Sequence, residues 1–217
     1  MHYLKLIEAH KKFYGNAIHK AYNYDEYLES KDWGCWERPN IPIEEINKLF
    51  DFIKSWDRFF QGDAEKFQRI YEEIFPVLEE FRGLSIEDAG LEDKELTSKV
   101  KHVFNKVANC TLLNRYESTD ASKILHTIIP DFFIMWDDKI KNNLVQGRRM
   151  GATYAFFFLQ IAKDAINEAI ETCMEEKRLS RPNATRYIRN SCDGKSLTKL
   201  ADQYHYMKYT RGHPDFQ

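Results

Sequence analysis

The residues with the clearest chemical potential lie between positions 113 and 140. Asp137 follows an apolar run, Phe132-Phe133-Ile134-Met135-Trp136, and precedes a segment with helical character, Asp138-Lys139-Ile140. A carboxylate there is fixed from both sides, by the apolar run behind it and by the helix start that it or Asp138 caps. Held in that way it can act in acid–base chemistry or steady a developing positive charge. His126 sits on the preceding helical stripe. It could complete an acid–base pair with Asp137, because an unperturbed imidazole titrates near neutral pH. The simpler readings are a plain helix cap for Asp137 and a locally hydrogen-bonded helical residue for His126.

Other constellations are weaker. Gln146-Gly147-Arg148-Arg149-Met150-Gly151 stands just before the longest helical segment, so free N–H groups and two arginines could hold an anion. Trp33, Trp36, Trp56, Trp136, Tyr204 and Tyr206 could wall a flat ligand pocket, though large aromatics most often pack a core. Trp33 and Trp36, in a glycine-containing loop, suit a lid or wedge. Cys35, Cys110, Cys173 and Cys192 are spaced too widely for a zinc motif or a disulfide framework, so they read as reduced thiols, and no metal or cofactor is expected. HExxH, Walker, G-x-G-x-x-G, G-x-S-x-G and Glu-x-x-His patterns are all absent.

These residues need helices to position them, and helical spacing dominates the chain. Tyr3, Leu6, Ile7 and His10 open one apolar stripe that runs on through Phe13 and Tyr14; Ile43, Ile46, Leu49, Phe50 and Ile53 open a second. Phe67, Ile70, Tyr71 and Ile74 form a third, which Pro76 should kink or break. Val100, Val103, Phe104 and Val107 form a fourth, and residues 151–177 the longest. Ala121, Ile124, Leu125 and Ile128 make a short helix, capped by Thr119 or Asp120 and ended by Pro130. No strand-like alternation or repeat appears. The expectation is an all-α, multi-helix globular fold, one domain over residues 1–210 with scope for two lobes and a groove, and a loose tail over 211–217.

The stretch from Leu113 to Ile140 resembles a degenerate form of the helix-hairpin-helix DNA glycosylase superfamily. In that family a Leu-Pro-Gly-x-Gly hairpin leads into a helix opening Lys/Ser-x-Ala, and a short apolar segment then ends in an Asp at the head of another helix. Leu113 matches the leucine, Thr119 the Lys/Ser position, Ala121 the alanine and Asp137 the aspartate, 18 residues after Thr119 without a gap. Arg115 and Glu117 replace the two glycines, which removes the backbone freedom that lets main-chain N–H groups approach a phosphate. The resemblance implies a two-lobed helical body and base excision from DNA. It makes Asp137 the catalytic carboxylate, with His126 as its possible partner. Arg115, Lys123, Arg148 and Arg149 would face phosphates, and Trp33, Trp36 and Trp136 would line the base pocket. Thr119 stands where lyase-type members carry their amine, so the implied step is monofunctional hydrolysis.

Charge leaves a nucleic-acid partner open. Of 217 residues, 32 are Lys or Arg and 34 Asp or Glu, a formal charge of −2. Residues 44–95 hold 15 acidic against 7 basic side chains, whereas residues 177–211 hold 9 basic against 2 acidic. Such asymmetry can mark a polyanion-binding end, or the mutual attraction of two halves. The alternative from another class is a non-enzymatic helical interaction or regulatory module with a protein partner. A small-molecule enzyme using His126 and Asp137 is third. The N-terminus lacks the pattern of a signal peptide, and no apolar run approaches the roughly 20 residues of a membrane span, so a cytoplasmic location is expected.

Overall fold

The computed structural model describes every residue except 17, 114, 147–149 and 217, with the backbone alone for 16 and 18–21. Helices form where the apolar stripes lie: α1 (Tyr3–Asn16), α2 (Ile18–Ser30), α3 (Trp33–Trp36), α4 (Ile43–Trp56), α5 (Ala64–Arg82), α6 (Lys94–Ala108) and α7 (Ser118–Ile128). They continue as α8 (Asp138–Val145), α9 (Gly151–Thr153), α10 (Leu159–Lys177), α11 (Arg181–Asn190) and α12 (Leu197–His205). Two π turns, Tyr154–Phe158 and Tyr206–Thr210, interrupt this regularity, and Pro214–Phe216 forms a short 3₁₀ turn. Among the described residues the only sheet-like pairing is one antiparallel bridge, Gly62 to Thr111. The fold is all-α.

One apolar core takes Leu6 from α1, Leu49 from α4, Leu78 from α5, Phe104 from α6, Leu125 from α7, Ile166 from α10 and Leu200 from α12. A second, smaller cluster joins Ala9 and Phe13 of α1 to Met207 and Phe216 near the C-terminus. Side-chain caps start several helices: Asp63 accepts from Lys66 N–H at 3.0 Å and Asp93 from Glu95 N–H at 2.8 Å.

Three expectations need correction. Pro76 lies inside an unbroken α5. Its ring is on the exposed face, while Tyr71, Ile74, Leu78 and Phe81 anchor the helix into the core on both sides of it. That burial outweighs a cost of about 3 kcal/mol for the lost hydrogen bond and the ring's clash. Residues 33–36 form a helical turn rather than an open loop, with Trp36 buried edge-on against Tyr71 at 5.6 Å. The tail is docked rather than loose: Phe216 is buried with Ala9, Phe13 and Met207, and Lys5 Nζ donates to the Asp215 carbonyl at 2.8 Å.

The feature that positions the candidate site is the extended segment from Phe133 to Asp137, which crosses the core without a sheet partner. Side chains take up its backbone groups. His126 Nδ1 donates to the Phe133 carbonyl at 2.7 Å, and Trp136 N–H donates to Ser122 Oγ at 3.1 Å. The Tyr154 hydroxyl accepts from Ile134 N–H at 3.0 Å and donates to the Ile134 carbonyl at 2.8 Å. Tyr154→Phe removes both partners of Ile134 and should destabilise the fold by about 2–3 kcal/mol in urea unfolding. Ser55→Ala, at an exposed helical position, should stay within about 0.5 kcal/mol of the parent chain.

Candidate functional site

Asp137 stands at the end of this segment and caps α8. Its Oδ1 accepts from Ile140 N–H at 2.8 Å, and its Oδ2 accepts from the Thr210 hydroxyl. Lys139 Nζ donates to the Thr210 carbonyl at 3.1 Å, a second tie between the start of α8 and the terminal π turn. The π turn contributes Tyr206 and Thr210 to one wall, spaced by its wider winding.

Half-buried Asp137 lines a cavity of about 310 Å³, within the range of small-molecule pockets. Trp136 and Met135 reach it from the extended segment, Thr119 and Lys123 from α7, and Trp56 and Asp57 from the end of α4. Phe13 of α1 and Asp202 of α12 complete it with the first turn of α8. The lining is thus aromatic and carboxylate-rich: Asp57, Asp137, Asp138 and Asp202 against Lys123 and Lys139.

Most of these charges are tied. Lys123 Nζ lies 2.8 Å from Asp120 Oδ1, and burial pushes the Asp120 carboxyl up while the ammonium pulls it back. Lys141 Nζ lies 2.7 Å from Asp138 and also donates to Ser118 Oγ and Thr119 Oγ1, at 3.0 and 3.1 Å. Lys199 Nζ lies 2.8 Å from Asp202 Oδ2 and is boxed by the rings of Phe13, Tyr24 and Trp56 at 5.1, 4.4 and 4.7 Å. Burial lowers the Lys199 pKa, and Asp202 opposes the shift. Asp57 Oδ1 accepts from Phe59 N–H at 3.0 Å, which orients the carboxylate.

The anticipated site residues are distributed unevenly. Asp137 and Trp136 share the cavity. Lys123 does too, but as a buried partner of Asp120 rather than a phosphate-facing surface residue. His126 does not meet Asp137: Tyr24 OH lies 2.8 Å from its Nε2, and its Nδ1 is spent on Phe133. Trp33 and Trp36 lie away from the cavity and flank Lys31, whose Nζ is 4.0 and 4.8 Å from the two rings. Arg115 is exposed and outside the cavity, with its N–H donated to Thr111 Oγ1 at 2.9 Å. Arg148 and Arg149 lie outside the described residues. At the helix start beside them, Gly151 N–H donates to Tyr116 OH at 2.8 Å and to Asn105 Oδ1 at 3.2 Å.

Asp57, Asp202 and Thr210 were not singled out from the sequence. Asp57 could have been found as the acid directly following the Trp56 end of an apolar stripe. Asp202 and Thr210 carry no local signal. The basic C-terminal charge is partly used inside the fold, with Arg181 3.6 Å from Asp88, Arg189 3.6 Å from Asp131 and Lys195 2.5 Å from Asp25. Among the described residues no cluster of three or more His, Cys, Asp or Glu side chains is arranged to hold a metal ion, and no helix is long and apolar enough to cross a membrane. No protein family, curated protein or solved structure matches this chain.

Burial lowers the His126 pKa to about 3, with Lys199 adding to the shift. Between that value and the ordinary 6.5 the unfolded chain binds a proton that the folded chain does not. Stability should therefore fall as pH falls through this window, by on the order of 4 kcal/mol from this group. His126→Gln should flatten the acid dependence of the unfolding free energy relative to the parent chain, measured from pH 7 to pH 4.

Proposed function

We propose that the cavity is the nucleobase pocket of a DNA-acting N-glycosidic hydrolase with Asp137 as its central carboxylate. One observation carries the reading. A carboxylate fixed by a helix start and a hydroxyl opens onto an aromatic-walled cavity, at the position where resemblance to helix-hairpin-helix glycosylases puts the catalytic aspartate. A base turned out of a duplex would stack among Trp56, Trp136 and Tyr206, whose rings exclude water. As the bond from base nitrogen to sugar carbon lengthens, positive charge grows on the sugar. Asp137, already oriented, stabilises that charge and positions the attacking water. Thr119 offers no amine, which favours hydrolysis over a lyase route.

Duplexes carrying damaged or mismatched bases test this directly. The parent chain should release at least one such base, and Asp137→Asn should lose about 100-fold or more in single-turnover rate. Its duplex affinity should fall steeply with added salt. No excision across the panel, or equal excision by Asp137→Asn, overturns the reading.

A protein-interaction module is the second reading. Its specific support is the exposure of Met150 and Phe157, 62% and 61%, on either side of α9. A stable partner recovered without nucleic acid, and lost with Phe157→Ser, would favour it.

A further inference from the structure

Breaking an N-glycosidic bond makes two demands, and Asp137 meets only one. The sugar side needs a negative charge beside it; the base side gathers electron density and needs a proton. A single carboxylate tied to Ile140 N–H and Thr210 on the sugar side does not supply that proton.

Asp57 is the second carboxylate of the cavity with no described lysine or arginine paired to it. Asp138 and Asp202 are committed to Lys141 and Lys199, and Lys123 is committed to Asp120. Asp57 comes from a different element, directly after Trp56, so it stands next to the aromatic wall on which a base would stack. Its half-buried side chain is held at Oδ1 by Phe59 N–H, and its own N–H closes α4 on the Ile53 carbonyl at 2.8 Å. The acid is therefore oriented before any ligand arrives.

We propose that Asp57 is the general acid that protonates the departing base. This rests on the hydrolase reading of the cavity and adds to it. The carbon–nitrogen bond breaks with its electron pair on the base. The Asp57 carboxyl proton moves to a ring nitrogen of that base, leaving Asp57 as a carboxylate. Water adds to the sugar carbon, and its released proton restores the acid. Bond-breaking and protonation balance as hydrolysis, with one water consumed and no oxidant or reductant.

The test uses the leaving group. A duplex containing hypoxanthine, a neutral base, needs a proton for departure; one containing N7-methylguanine, already cationic, does not. Asp57→Asn keeps the acceptor for Phe59 N–H, so the fold should hold, checked by its urea midpoint. It should slow hypoxanthine release on the order of 100-fold. Single-turnover release of N7-methylguanine at saturating protein, which removes any effect on binding, should stay within about threefold, since no proton transfer is lost. Hypoxanthine release by the parent chain should decline with rising pH, a limb that the variant loses. Equal slowing on both bases, or no slowing on either, overturns the assignment. If the parent chain releases neither base, the hydrolase reading falls and this inference with it.

Discussion

The structure depends on satisfying the backbone of one buried extended segment. Residues 133–137 run through an all-helical core, where each unpaired N–H or carbonyl would cost about 1–3 kcal/mol. A sheet would solve this with neighbouring strands. Here three side chains substitute: Tyr154 serves both groups of Ile134, Ser122 serves Trp136, and His126 serves Phe133. The solution fixes more than the segment. It ties α7 and the π turn after α9 to the same five residues, and so sets where Asp137 emerges and which way it faces. His126 is neutral and buried because this work requires a donor at Nδ1 and an acceptor at Nε2, not because it exchanges protons with Asp137.

Much of the fold was legible in the sequence because helix periodicity is a property of the chain alone. The stripes beginning at Ile43, Phe67 and Val100 became α4, α5 and α6, and Asp137 became the cap expected of an acid before a helix. What was not legible came from tertiary context. Residue type said that Lys123, Lys141 and Lys199 belong in water, yet each is buried beside an aspartate three residues away. On a helix that spacing looks like an ordinary surface pair. Only the packing of α7, α8 and α12 around one cavity turns it inward. Pro76 and Phe216 were misjudged for the same reason, since burial supplied by distant elements overrode a local signal.

The loop between α6 and α7 uses its main-chain groups inside the fold. It is closed by Thr111, whose hydroxyl accepts from Arg115 N–H at 2.9 Å and donates to the Arg115 carbonyl at 3.0 Å. Glu117 N–H is likewise donated to the Ala108 carbonyl at 2.8 Å. These donors are turned into the protein and do not form a phosphate cradle. A polyanion near this loop would have to be held by side-chain charge, such as the exposed Arg58 and Arg115, rather than by main chain.

The same economy of charge decides what the cavity can accept. Buried ion pairs such as Lys123–Asp120 and Lys199–Asp202 gain little stability, because desolvation offsets most of their attraction. Their effect is local. They neutralise four charges around the cavity and lock each side chain in place, which, with Asp138 held by Lys141, leaves Asp57, Asp137 and Lys139 as the other charged side chains of its wall. A phosphate entering beside Asp137 would meet repulsion in a partly dry site. A flat, neutral or cationic group would meet aromatic faces and complementary charge. The cavity therefore suits a flat, neutral or cationic group better than a compact anion.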